Sequence, residues 1–192
     1  MPVLQKRSKR NFKVDMNQKI IVADDFYDIA HPYHKGIVEG EPIFTDEAPQ
    51  KISHLLGREI KVENLFNEVA LSNTPNPITA NLACDWIAVV YLTMPGDCVS
   101  QRGMSFYSHL STGFDAFPDE YARQLHGIQT QEDIMATFNI DDREEWKEYS
   151  NVYVKYNRIV LFGADLWHSY GKGFGEQLNN SMIYQKMLIQ NA

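Results

Sequence analysis

Histidine 168 is the residue of this chain whose type and position most clearly suggest chemistry. It closes a stretch from Asn157 to Ser169 that reads N-R-I-V-L-F-G-A-D-L-W-H-S. A continuous apolar run that ends at turn residues is typical of a strand covered on both faces. The stretch therefore predicts a buried strand, a turn at Gly163 to Asp165, and a second short strand that presents His168 either to a site or to the core.

Three other histidines are candidates for metal binding or for pocket lining. His31 and His34 are three residues apart and would face one metal ion only on a continuous helix. Pro32 lies between them, and the proline and glycine of this segment predict a loop or a broken helix instead. His109 ends the extended segment F-Y-S-H, where we interpret it as a structural or pocket-lining residue.

The elements that must position these side chains are mostly strands. Short apolar segments separated by turn residues predict about eight strands, the clearest of which cover 19–26, 59–71, 86–92, 104–109, 152–162, 166–170 and 181–189. Thr45 is predicted as the N-cap of a helix that ends at Gly57 and covers a sheet. Residues 117–150 predict a helical insertion, with helices that start near 118, 130 and 141.

This pattern predicts a mainly β protein with the double-stranded β-helix (jelly-roll) architecture, an N-terminal covering helix and one helical insertion. The predicted jelly-roll domain spans 19–192 and follows a basic N-terminal arm at 1–18. A mixed α+β sheet is the alternative fold.

Composition limits the classes of function. The chain has 192 residues, of which 44% are hydrophobic and 22% charged, with a net charge of −7. An acidic body disfavours nucleic-acid binding, since phosphate neutralisation supplies most of that affinity. The apolar runs are much shorter than the ~20 residues that cross a bilayer, and no secretory signal is visible, so we predict a cytoplasmic protein without a membrane span.

The arm is a local exception to the acidic composition. Its basic side chains could dock on an acidic partner, or the arm could be a solvated terminus. The candidate partner-binding residues are Lys6, Arg7, Lys9 and Arg10. Cys84 and Cys98 lack a CxxC spacing and predict a reducing compartment. Cys84 is read as a small packed residue, with a soft metal ligand as the alternative.

The order of motifs resembles that of the 2-oxoglutarate and Fe(II)-dependent oxygenases, most closely the prolyl-hydroxylase-like members, including those carried by bacterial viruses. The resemblance covers roughly residues 19 to 189. The segments that carry it read I-V-A-D-D-F, W-I-A-V-V-Y-L-T, R-G-M-S-F-Y-S-H, N-R-I-V-L-F-G-A-D-L-W-H-S and S-M-I-Y-Q-K-M-L-I.

The resemblance implies an iron site built from two histidines and a carboxylate, with an arginine or lysine that grips 2-oxoglutarate. His168 falls at the second histidine of this pattern. Thr79 and Asn81 fall where the first histidine and the carboxylate belong, and Ser181 falls where the gripping cation belongs. Lys186 lies five positions after Ser181, an odd offset that predicts the opposite face of the strand.

Three functions follow from this degenerate pattern. The first is a non-catalytic oxygenase-fold module without a cofactor, which contacts other protein subunits through the arm and a sheet surface; the viral relatives make a virus particle or another assembly its expected setting. The second is an active Fe(II)/2-oxoglutarate-dependent hydroxylase in which Asp85 and either His109, His31 or His34 join His168. The third is a different jelly roll, such as a sugar-binding or cupin-like protein.

Overall fold

The computed structural model describes residues 19–41, 43, 46–99, 102–140 and 142–192. The arm at 1–18, with Lys6, Arg7, Lys9 and Arg10, lies outside the described residues, as does the predicted N-cap Thr45. None of the helices in the described part of the chain is long and apolar enough to cross a membrane.

Eight strands, counted over the described residues, form two sheets. In chain order they are β1 (Ile20–Ala23), β2 (Ile60–Ala70), β3 (Trp86–Tyr91), β4 (Gly103–His109), β5 (Trp146–Tyr153), β6 (Arg158–Gly163), β7 (His168–Ser169) and β8 (Met182–Asn191). The larger sheet has the order β1-β6-β3-β8-β2, and the smaller sheet has the order β5-β4-β7. All the strand pairs are antiparallel.

The central strands are apolar on both faces because both faces of the larger sheet are covered. On β3, Ile87 and Val89 pack into a core cluster between the two sheets, which also contains Phe106 of the smaller sheet. Ala88 and Val90 pack into a second cluster on the outer face. The two sheets share the inner cluster, which is the predicted jelly-roll arrangement.

Two helices cover the outer face of the larger sheet. Helix α1 (His31–Glu39) and helix α2 (Glu47–Leu56) bury Tyr33, Ile52 and Leu56 against this face. Gly57 ends α2 in a left-handed conformation with φ of 65°, as predicted for a C-terminal glycine. The prediction of a loop at His31 was wrong, because Pro32 stands in the first turn of α1, where its missing N–H costs no helical hydrogen bond.

The predicted insertion is helical only in its first part. Helix α3 (Glu120–Leu125) is capped by Asp119 and helix α4 (Gln131–Thr137) by Thr130. The third predicted helix is wrong: Arg143–Glu145 forms one 3-10 turn, and β5 begins at Trp146. The acidic residues that resembled a first helical turn precede a segment that pairs with β4 along its whole length.

Candidate functional site

His168 lies at the point where three segments of backbone meet. On one side, its strand β7 pairs with β4, with His168 opposite Phe106. On the other side, His168 and Thr79 exchange both backbone hydrogen bonds, at 2.9 and 2.8 Å. Thr79 is therefore the direct cross-strand neighbour of His168, although the two are 89 positions apart in the sequence.

The His168 ring is buried and uncharged. Its Nδ1 lies 2.8 Å from the Leu166 carbonyl oxygen, which can only accept, so Nδ1 carries the proton and Nε2 keeps a free lone pair. The rings of Phe162 and Tyr170 lie 4.7 and 5.1 Å away. The pKa of His168 is lowered from 6.5 to about 4, chiefly by burial; the Leu166 hydrogen bond acts against this shift, and the nearby positive charge of Lys186 adds to it.

The free Nε2 atom of His168 has no hydrogen-bond partner among the described residues. This is the kind of ring nitrogen that ligates a metal when the other nitrogen donates to a carbonyl. The site thus keeps one oriented imidazole donor.

Thr79 and Asn81 use their side chains for local hydrogen bonds. The Thr79 hydroxyl lies 3.3 Å from the carbonyl oxygen of Ala80. The Asn81 side-chain oxygen accepts a hydrogen bond from the Ala83 N–H at 2.8 Å. The backbone N–H of Asn81 donates to Ala164 in the turn before His168. Both side chains are neutral, so this part of the site has no anionic donor.

The resemblance places the cation that grips 2-oxoglutarate at position 181, which is Ser181 here. The cation that β8 brings towards His168 is Lys186 instead. Ser181 is buried, and its hydroxyl donates to the Leu178 carbonyl in the turn before β8. Lys186 extends over the ring of Tyr170, with its ammonium 5.2 Å from the ring centre. The odd offset placed Lys186 on the opposite face from Ser181, but the resemblance implied that the face of Ser181 points to the site. The inner face is the one shared by Met182, Tyr184 and Lys186.

The ammonium of Lys186 is already paired with a carboxylate of the chain. It lies 3.0 Å from Glu68 Oε1 on the neighbouring strand β2. It also lies 4.9 Å from the ring centre of Phe66.

The alternative ligands are not brought to His168. Asp85 is exposed and accepts a hydrogen bond from the Asn191 N–H. His109 packs against Phe138 and Trp146, in a cluster separate from the one that surrounds His168. The structure contains no cluster of three or more His, Cys, Asp or Glu side chains that could hold a metal, within the residues it describes.

The histidines of α1 serve a structural contact instead. His34 donates from Nδ1 to the Leu92 carbonyl at 2.8 Å, and its ring lies 6.3 Å from that of His31. Cys84, the alternative soft ligand, is a free and partly buried thiol whose pKa is raised by burial. A raised pKa disfavours the thiolate that a metal would need.

The donor set at the site does not fit Fe(II). One imidazole nitrogen is available, on His168. The two other ligand positions of the pattern hold the hydroxyl of Thr79 and the neutral amide of Asn81, and both already make local hydrogen bonds. A divalent cation needs anionic or imidazole donors to offset the loss of its hydration shell.

No protein-family model matches the sequence. A search of curated proteins also gives no significant match. Among solved structures, the chain is similar to the non-heme alpha-ketoglutarate-dependent epimerase SnoN from nogalamycin biosynthesis, with a TM-score of 0.50, 8% identity, and coverage of 91% of this chain and 78% of SnoN. At this identity the likeness shows the fold, which is the jelly roll of the oxygenase type.

HygX from Streptomyces hygroscopicus is a second neighbour. Its structure with iron bound gives a TM-score of 0.46 and 11% identity, and its structure with nickel and 2-oxoglutarate bound gives 0.45 and 10%. Each comparison covers 91% of this chain and 83% of HygX.

Proposed function

We propose that this protein is a non-catalytic member of the oxygenase-fold class that acts as a structural or interaction module. The observation that carries the proposal is the direct pairing of Thr79 with His168. In the iron site that the resemblance implies, the first histidine would lie beside the second, which is His168 here. The residue at that position is Thr79, which has a hydroxyl and no imidazole. The backbone arrangement is kept while the donor is absent.

The environment of Lys186 supports the same proposal. A dicarboxylate cosubstrate would need a free cation, and the Lys186 ammonium is held at 3.0 Å from the carboxylate of Glu68. Entry of a second carboxylate would place two negative charges at one ammonium, which is unfavourable in a partly buried setting. Within the described residues, the iron site therefore lacks its first histidine and its carboxylate, and the cosubstrate site lacks an unpaired cation on β8.

The interaction part of the proposal is supported by the smaller sheet. Strand β5 is its edge, and its second side has no partner strand among the described residues. Two of its aromatic side chains, Tyr149 and Tyr153, are 42% and 54% exposed. An edge strand with exposed aromatic residues is suited to pairing with another chain. The setting that we propose is an assembly with other protein subunits, for which a virus particle is the example that the sequence resemblance supplies.

An anaerobic titration of the purified full chain with Fe(II) and 2-oxoglutarate tests the proposal. We expect no visible charge-transfer band and no succinate after oxygen is admitted. A saturable band with stoichiometric succinate would overturn the non-catalytic assignment. Sedimentation of the same sample tests the interaction part, which predicts association that the charged edge substitutions Tyr149→Lys and Tyr153→Lys reduce.

A further inference from the structure

A polar groove lies on the face of the smaller sheet that points away from the larger sheet. Met104 and Phe106 of β4 pack between the two sheets, so Ser105 and Tyr107, which alternate with them, point to the opposite face. These two side chains form part of the wall of a groove of about 340 Å³, which we call the cation groove. Its charged lining residues are Arg102, Arg143, Lys172 and Glu148.

The three cations of the groove come from three separate parts of the chain. Arg102 directly precedes β4, Arg143 lies in the 3-10 turn before β5, and Lys172 lies in the loop that follows β7. The fold thus gathers three positive charges beside the single carboxylate of Glu148, on a chain whose net charge is −7. The groove therefore has an excess of two positive charges on an otherwise acidic protein.

The cations of the groove are not paired with carboxylates. Elsewhere on the chain, lysine and arginine side chains form ion pairs, as Lys155 and Arg158 do with Asp24. The three groove cations form no ion pair with any carboxylate of the described residues, including that of Glu148. Cations that share one groove repel each other, so an anion bound between them lowers the electrostatic energy.

The guanidinium of Arg143 is held in one orientation by its neighbours. It donates to the Tyr107 hydroxyl at 3.0 Å and to the Asn76 carbonyl, and its central carbon lies 5.7 Å from the centre of the Tyr107 ring. The Tyr107 hydroxyl lies 3.1 Å from the hydroxyl of the buried Ser169. A guanidinium has five N–H groups, so three of those of Arg143 have no acceptor among the described residues. An oriented guanidinium with unused donors is suited to bind two oxygens of one anion.

The backbone on both sides of Lys172 is packed closely against other strands. Gly171 has a φ of 91°, and a Cβ at this position would overlap the carbonyl of Gly103 at the start of β4. A Cβ at Gly173 would overlap the carbonyl of Leu71, just after β2. These contacts fix the loop at the rim of the groove, where Lys172 and Arg102 each follow or precede one of the two glycines that touch.

From these observations we propose that the cation groove binds the phosphate monoester of a small polyhydroxy molecule. A phosphate monoester carries close to two negative charges at neutral pH, which matches the excess of two positive charges, and guanidinium groups bind its oxygens in pairs. The Ser105 hydroxyl accepts from the Asn151 amide at 2.7 Å, so its own O–H can donate to a hydroxyl of the ligand. A volume of about 340 Å³ is in the range of small-molecule sites. This inference goes beyond the proposed function and does not depend on the absence of catalysis at His168.

Titration of the isotope-labelled full chain with ribose 5-phosphate, followed by two-dimensional amide NMR spectra, tests the assignment. We expect saturable shifts centred on the amide signals of Gly103 and Gly171, with a Kd of roughly 1 mM or below. Inorganic phosphate should shift the same signals with lower affinity, and ribose without phosphate should shift none of them. Absence of saturation by ribose 5-phosphate, or saturable shifts confined to another part of the chain, would overturn the site. Equal affinity for inorganic phosphate and ribose 5-phosphate would overturn the assignment to a monoester.

Substitutions of the groove cations give a second test with the same probe. Arg102→Gln and Lys172→Gln each remove one positive charge from the groove and should weaken the binding of ribose 5-phosphate about tenfold. Lys147→Gln is the matched control, because it makes the same change of charge at an exposed residue of β5 outside the described lining of the groove. This control should leave the affinity within about twofold of the wild type. Equal weakening by all three substitutions would show an effect of net charge alone and would contradict a built site; the amide spectra of each variant also report whether it is folded.

Discussion

Two regions of the molecule contain buried polar side chains, and they differ in how many of these side chains have all their hydrogen-bond partners. On the helix-covered face, Asn157 binds both the N–H and the carbonyl of Tyr27, and the Tyr27 hydroxyl donates to Gln185. By contrast, His168 Nε2, beside the core between the sheets, and Trp167 Nε1, in the separate aromatic cluster with Phe138, have no partner among the described residues. Satisfied polar groups are typical of a structural role, whereas a buried polar atom without a partner requires a water molecule, an ion or a ligand to complete its hydrogen bonds.

The position of His168 is fixed by contacts that belong to the fold. Its backbone holds Thr79 and Phe106 in register at the mouth of the barrel, and its ring fills space between Phe162 and Tyr170. These contacts serve the fold, so that the ring remains oriented although the donors beside it are a hydroxyl and an amide.

The largest effect is expected where the buried polar side chains have all their hydrogen-bond partners, at Asn157. Asn157→Ala removes both side-chain hydrogen bonds to Tyr27 and places alanine at a φ of 60°. We expect a loss of about 2–4 kcal/mol in the free energy of unfolding, measured by urea denaturation. The matched control is Asn151→Ala, where a half-buried amide makes one hydrogen bond to Ser105 and should cost about 1 kcal/mol. Equal losses would show that the two hydrogen bonds of the Asn157 side chain stabilise the fold no more than the single one of Asn151, whose side-chain oxygen has no partner among the described residues.

The next largest effect is a pH dependence of the free energy of unfolding, which arises from the buried ring of His168. The pKa of His168 is lowered to about 4 in the folded chain, so the unfolded chain binds more protons between pH 6.5 and 4. Stability should therefore be fully present above pH 6.5 and fall by up to about 3 kcal/mol as the pH drops to 4.

The substitution His168→Leu provides the control for that dependence. It should flatten the stability profile over this window. Asp24, whose pKa the Arg158 hydrogen bond lowers from 3.8 to about 2, stabilises the fold above pH 3.8 and loses this contribution only as the pH falls towards 2. A wild-type profile that is flat from pH 6.5 to 4 would contradict the buried, uncharged ring.

The smallest effect is expected at the cross-strand neighbour of His168. Thr79→Val keeps the shape of the side chain and removes a hydroxyl whose only described hydrogen bond is the one at 3.3 Å to its neighbour's carbonyl. We expect a change of less than about 0.5 kcal/mol in the free energy of unfolding. A loss above 2 kcal/mol would indicate that the Thr79 hydroxyl makes a further hydrogen bond, and that the polar groups around His168 are more completely paired than we describe.

The sequence was sufficient for the fold class but not for several local features. The apolar run before Gly163 and the one at Trp86 to Leu92 predicted the central strands, because burial on both faces leaves a pattern visible in one sequence. The helix at His31 was missed because Pro32 was read as a helix breaker, whereas proline is tolerated in a first turn.

The candidate site depended on tertiary contacts that no local pattern encodes. Counting back from the central strand placed Thr79 and Asn81 at the ligand positions by resemblance alone, and their role as remnants stays a prediction. The pairing of Lys186 with Glu68 joins residues that are 118 positions apart. The sequence separated Lys186 and Ser181 onto opposite faces, but apolar residues occur at both parities of β8, so the pattern did not show which of the two faces points to His168.

The most direct test of the central claim is a Co(II) titration of the wild-type chain beside the double variant Thr79→His, Asn81→Asp, followed by visible absorption. The account predicts no saturable visible bands in the wild type and stoichiometric binding in the double variant, because the backbone places position 79 opposite His168 and position 81 against the turn that precedes His168. Adding His168→Ala to the double variant should abolish that binding. Stoichiometric Co(II) binding by the wild-type chain that His168→Ala removes would contradict the claim that the donor set is lost.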